Sequence, residues 1–188
     1  FGAVSPHTFE AAAMLTWMFL DAALGRRPSA VGACIGAVVG LVAITPACAF
    51  VTPWAAVVIG LIAGLLCAMA VGLKYKFGYD DSLDVVGVHL VAGLWGTVGA
   101  GLLATSTGLF YGGGIDQLVL QVLVALATLV ISGVVTLIIA LALKATMGWR
   151  VPEDVEIAGI DGSEHAESAY DINSRGGRMS GGPSAAPT

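Results

Sequence analysis

The sequence predicts an all-α integral membrane protein with five transmembrane helices and a short polar tail. Composition is the first reason: of 188 residues, 57% are hydrophobic and 11% charged, against roughly 45–50% and 25% in soluble domains. The second is where the 21 charged residues lie. None occurs in 28–73, in 85–115 or in 117–143. The third is their concentration at the other end, where ten of the 21 fall between Arg150 and Arg178. Disorder over most of the length is excluded by the hydrophobic content. A net charge of −5 with eight scattered Lys and Arg excludes a basic nucleic-acid binder. A secretory signal would be one short apolar stretch ahead of a soluble body, which this is not.

The first span is placed at about Thr8–Leu24. Glu10 and Asp21 leave only ten uncharged residues between them, so an interfacial helix is the alternative. Trp17 and Phe19 add apolar area and favour a span. The 46 uncharged residues from Pro28 to Leu73 are too many for one span and suit two, since about 20 residues cross a bilayer. Pro46 and Pro53 mark the turn, because proline lacks a backbone donor and disfavours helix before it. This places spans at about 29–47 and 54–73. The fourth covers about 85–104 and the fifth about 118–143, long enough to tilt. Residues 1–149 then form the membrane domain, 150–172 a cytoplasmic tail, and 173–188, with Gly176, Gly177 and Pro183, a disordered end. The chain opens on Phe1, and a fragment of a longer protein is expected.

Orientation follows from the basic residues. Arg26 and Arg27 lie between spans one and two, Lys74 and Lys76 between three and four, and Lys144 and Arg150 after five. The other two connections carry none. The positive-inside rule makes the basic connections and the tail cytoplasmic, with the start of the chain outside.

Gly32, Gly36 and Gly40, then Gly60 and Gly64, then Ala92, Gly96 and Ala100 repeat at intervals of four. Small residues at this spacing let helices approach closely in lipid. Cys34, Cys48 and Cys67 lack metal-ligand spacing and read as small buried residues. Among the three histidines, His89 stands about five residues into an uncharged span. A group of this kind at membrane depth faces a bundle interior or a polar path. It is either hydrogen-bonded between helices or lines a pore. Neutral imidazole both donates and accepts a hydrogen bond, which suits a small polar substrate that does the same. Asp80, Asp81 and Asp84 precede this span, where acids suit the helix dipole. Asp84 is a candidate cap, with direct transport work the other reading. Thr45, before Pro46, bonds backbone freed by the break or touches substrate.

Several runs together resemble the ammonium transporter (Amt/methylammonium permease/Rhesus) family, in its bacterial Amt branch. They are 25–29 (GRRPS), 32–34 (GAC), 40–48 (GLVAITPAC), 78–89 (GYDDSLDVVGVH), 150–153 (RVPE), 159–161 (GID) and 165–170 (HAESAY). The resemblance implies an eleven-span fold of two inverted five-span repeats, assembled as homotrimers in the cell inner membrane with one pore per subunit. This chain is similar to spans seven to eleven and is not expected to conduct alone. By the same match, His89 is the second of two pore histidines, with Val85 below it and Val38 and Thr45 lining the path from the second span here. Asp84 and Gly87 are structural residues near the pore. Arg150, Asp161, His165 and Tyr170 fall in a regulatory tail that packs under a neighbouring subunit and forms part of the face for a PII signalling protein. The implied substrate is ammonium or ammonia, with no cofactor and no metal. Val86 stands where many relatives have Phe, Leu90 where Gly is usual, and Ala166 replaces a tail Gly. Leu90 is expected to shift helix packing or narrow the path. The alternatives are a Rhesus-like neutral gas channel and an ammonium sensor. An enzyme is disfavoured, because His89 has no second ionisable partner in any span.

Overall fold

A computed structural model describes residues 4–165. The chain divides into two compact units, one up to Val134 and one from Val135 on. The first contains α1 (Val4–Ala23), α2 (Ala30–Ile44), α3 (Pro53–Val71), α4 (Leu73–Phe77), a π-helical turn (Val86–Leu90), α5 (Val91–Leu103) and a 3-10 turn (Leu109–Tyr111). It ends within α6 (Asp116–Thr146). Among the described residues no strand forms, and a lone antiparallel bridge joins Val51 and Ala104.

The helix starts carry their own caps. Ser29 accepts a hydrogen bond from the Gly32 amide (3.0 Å), and Thr52 accepts one from Ala55 (3.3 Å) with Pro53 at the first helical position. Each satisfies an amide that the first turn leaves unpaired. Three stretches are long and apolar enough to cross a membrane: Pro53–Phe77, Val86–Leu103 and Asp116–Thr146, with mean hydropathies of 2.6, 1.6 and 2.8. With 15 residues at about 1.5 Å each, α2 rises about 22 Å, less than the roughly 30 Å of a hydrocarbon core. Hydrogen-bonded turns prolong it, with the Cys48 amide on the Ile44 carbonyl (2.8 Å) and Phe50 on Ala47 (2.9 Å).

The packing centres on α1, which touches both α2 and α3. The glycine repeats of α2 and α3 meet its backbone. A Cβ added to Gly36 would lie 2.9 Å from Met14 Cα, and one on Gly40 2.6 Å from Glu10 Cα. From α3, a Cβ on Gly60 would lie 2.9 Å from the Phe9 carbonyl oxygen, and one on Gly64 2.7 Å from that of Ala13. Farther along, Gly96 of α5 abuts the Ala43 carbonyl of α2. These are the close approaches that small residues permit. Phe9, Ala13 and Trp17 of α1 are buried with Val39, Ile59 and Cys67 in one core. So α1 packs within the bundle. The Trp95 indole braces α5 against α3 by donating to the Ile59 carbonyl at 3.0 Å. At the far end of α5, the Thr105 amide bonds the Phe50 carbonyl at 2.8 Å.

No residue of α6 is buried. The second unit holds the end of α6 and two short helices, α7 (Glu153–Ala158) and α8 (Ile160–Glu164), separated by Gly159 at φ +101°. Arg150, Asp161 and His165 are all exposed there. Tyr170 and the expected disordered end, 173–188, lie outside the described residues.

Candidate pore site

The site is assembled after α4, which Gly78 terminates in the left-handed conformation (φ +68°). The following loop folds back on Lys74. Its Nζ donates to the Asp81 carbonyl (3.0 Å) and to Asp84 Oδ1 (2.6 Å). Both side chains of the ion pair are mostly shielded, at 15% and 17% exposure. Asp84 has φ +57°, the one positive value among the described non-glycine residues. Asp tolerates this conformation better than most residues, yet it is still strained.

The expected cap is corrected here. Asp81 caps the helix, accepting from the Val85 amide at Oδ1 (2.8 Å) and from Val86 at Oδ2 (2.9 Å). A carboxylate bridging two adjacent amides forms charge-assisted bonds at the positive end of the helix. The Asp84 side chain is drawn away to Lys74, and its carbonyl accepts from Val88 instead (2.8 Å).

The next turn is π-helical, closed by the Val91 amide on the Val86 carbonyl. Such turns occur mostly as single insertions in α-helices, frequently at functional sites. Gly87 is pressed against α3: a Cβ there would lie 2.9 Å from the Val71 amide nitrogen and 3.0 Å from its Cα. Val88 is buried, and the buried Cys67 thiol points at its carbonyl (3.9 Å). One side of the turn is therefore locked into the bundle. Val85, Val86, His89 and Leu90 are exposed on the other. Among the described residues the His89 imidazole makes no hydrogen bond.

Packed against the π turn is α2. Val38 and Thr45 lie two turns apart on one helical face, and both are exposed. The Thr45 hydroxyl donates to the Leu41 carbonyl (2.9 Å), the backbone role anticipated beside Pro46. Leu90 is exposed as well. All four expected pore-lining side chains thus leave the packed core on open surface. Of the four, Val38 and Val85 are aliphatic, His89 brings an imidazole and Thr45 an internally bonded hydroxyl. No group of three or more His, Cys, Asp or Glu side chains that could hold a metal ion occurs among the described residues.

Sequence reasoning missed the π turn and the parts that Lys74 and Asp81 play in it. The available signal was Asp81, four residues before Val85 and five before Val86, within reach of a first-turn amide.

A family model described as the Ammonium Transporter Family matches residues 3–170. The chain belongs to this family. An ammonium transporter of Mycobacterium tuberculosis is 52% identical over 174 residues, covering 86% of this chain and 36% of the relative. One of Bacillus subtilis is 40% identical over 176 residues, covering 89% and 43%. The chain therefore spans less than half the length of these relatives. The crystal structure of Saccharomyces cerevisiae Mep2 superposes with a TM-score of 0.70 at 33% identity, covering 82% of this chain and 37% of that one. A structure described as a sensor Amt protein gives 0.74 at 28% identity, covering 87% and 41%. The fold is thus that of an all-α Amt/Mep membrane transporter, represented in part.

Proposed function

We propose that this chain contributes one side of an ammonia-conducting pore in an ammonium transporter. The observation that carries the reading is an unpartnered imidazole, His89, exposed together with Val38, Val85 and Thr45 in a member of this family. In this reading all five long or apolar helices, α1, α2, α3, the π turn with α5, and α6, cross the plasma membrane. The start of the chain lies outside and the tail lies in the cytoplasm, as the alternating Lys and Arg support. His89 and Val85 face the path with Val38 and Thr45, while Asp84 and Gly87 hold the backbone. Ammonium gives its proton to water on the outer side, because moving a bare cation past Val85 and Val38 costs several kcal/mol or more. Neutral ammonia then passes His89, which donates to it and accepts from it. Residues 150–172, with Arg150, Asp161, His165 and Tyr170, form a regulatory tail within a homotrimer and part of a docking face for a PII protein.

The test uses a chimera in which this chain replaces the matched 174 residues of the Mycobacterium tuberculosis relative. His89→Ala is expected to abolish selective methylammonium uptake or to admit other cations. Unchanged uptake and selectivity would refute the role. The sensor-like neighbour favours a second reading, in which the same pore reports ammonium to a signalling partner. Signalling output that persists without uptake would support it.

A further inference from the structure

We propose that the Lys74–Asp84 ion pair is a positioning device for His89, acting by keeping the π turn wound. This rests on the pore reading of His89 and adds to it Lys74 and a specific task for Asp84, neither of which touches substrate.

The π turn holds one residue more than an α turn. At 3.6 residues per turn, one residue is worth about 100° of rotation, so everything before the turn is rotated by that amount relative to α5. Collapse to α-helix would swing Val85 and His89 out of their present phase. Two contacts oppose collapse from the bundle side, Gly87 against Val71 and the Cys67 thiol on the Val88 carbonyl. These hold the inner face only. On the entering strand, Asp81 clamps the first two amides, but Asp81 itself sits in a loop. Lys74 ties that loop down at two points, the Asp81 carbonyl and the Asp84 carboxylate, from α4, the helix before the loop. Asp84 also occupies the left-handed conformation from which its carbonyl accepts the Val88 amide. A strained residue held by a shielded ion pair persists because its surroundings over-determine it. Without Lys74 the strain at Asp84 has an outlet, and the residue that moves next is Val85.

The experiment measures methylammonium uptake by the chimera, normalised to folded protein, for Lys74→Met, Lys74→Arg, Asp84→Asn and His89→Ala. Lys74→Met and Asp84→Asn are expected to lower the maximal rate about tenfold or more with little change in KM, as for a misplaced group remote from the substrate. Lys74→Arg keeps the ion pair and is expected to recover most of the rate. Asp84→Asn keeps a residue that accepts the left-handed conformation, so it provides a folded variant if Lys74→Met does not assemble. A rate per folded molecule equal to the parent in both variants, with His89→Ala inactive or unselective, overturns the positioning role and leaves the pore reading standing. His89→Ala indistinguishable from the parent overturns both.

Discussion

Gly40→Ala adds a single methyl group where the structure has no room. Its Cβ would lie 2.6 Å from Glu10 Cα and from the Phe9 carbonyl oxygen, and 2.8 Å from the Glu10 amide nitrogen. Ordinary contact begins at 3.4 Å, so α1 must withdraw by about 0.8 Å. All three obstructing atoms are backbone, so no rotamer change relieves the clash. Retreat is resisted as well, because Gly60 and Gly64 of α3 hold the same stretch of α1 at Phe9 and Ala13. Overpacking of this kind costs about 1–3 kcal/mol, and alanine returns at most about 1 kcal/mol of helix propensity. The net loss expected is about 1–2 kcal/mol, on the order of 1–2 °C in the unfolding midpoint of a chimera of this size. The assay is thermal unfolding of the purified chimera in detergent. The control is Gly133→Ala in α6, where nothing lies within 4 Å of the added methyl. Equal midpoints for the two variants would refute the claim that α1 is wedged between the two glycine faces.

Trp95→Phe removes the indole donor to the Ile59 carbonyl. It should cost about 1–2 kcal/mol, with uptake per folded molecule unchanged; a change in selectivity would show that the brace also shapes the path. Leu90→Gly removes an exposed side chain beside His89. Initial methylammonium uptake should rise, although the helix loses about 1 kcal/mol of propensity; an unaltered rate would place Leu90 away from the path.

How far the sequence could be read depended on whether a feature is local. The uncharged runs behind α3, α5 and α6 are local, since lipid excludes charge residue by residue: α3 and α5 lie wholly inside such runs, and α6 carries charge only at Asp116 and Lys144. The glycine repeats announced close packing for the same reason. Their shared partner was less visible. The least apolar of the long helices, α1, carries Glu10 and Asp21, yet it is the one around which α2 and α3 close. A helix wrapped by other helices needs less lipophilic surface than one facing lipid, so hydropathy understates it.

At the site the division is sharper. Sequence alone determined that His89 would be the one histidine in the uncharged spans, and that Asp residues would stand at the start of its helix. Which Asp caps was a tertiary decision. Lys74 captures the Asp84 carboxylate at 2.6 Å, and that leaves Asp81 to bridge the Val85 and Val86 amides. The π turn was decided in the same way. A π and an α turn differ by one residue in the partner of a single amide, a choice that no local propensity makes for the run Val86–Leu90. Here Val71 against Gly87, the Cys67 thiol and the tethered loop make it together. Charge exclusion by lipid acts on each residue separately and is written along the chain. The facing of His89 depends on groups from α3, α4 and the loop meeting in space, and it exists only once they have packed.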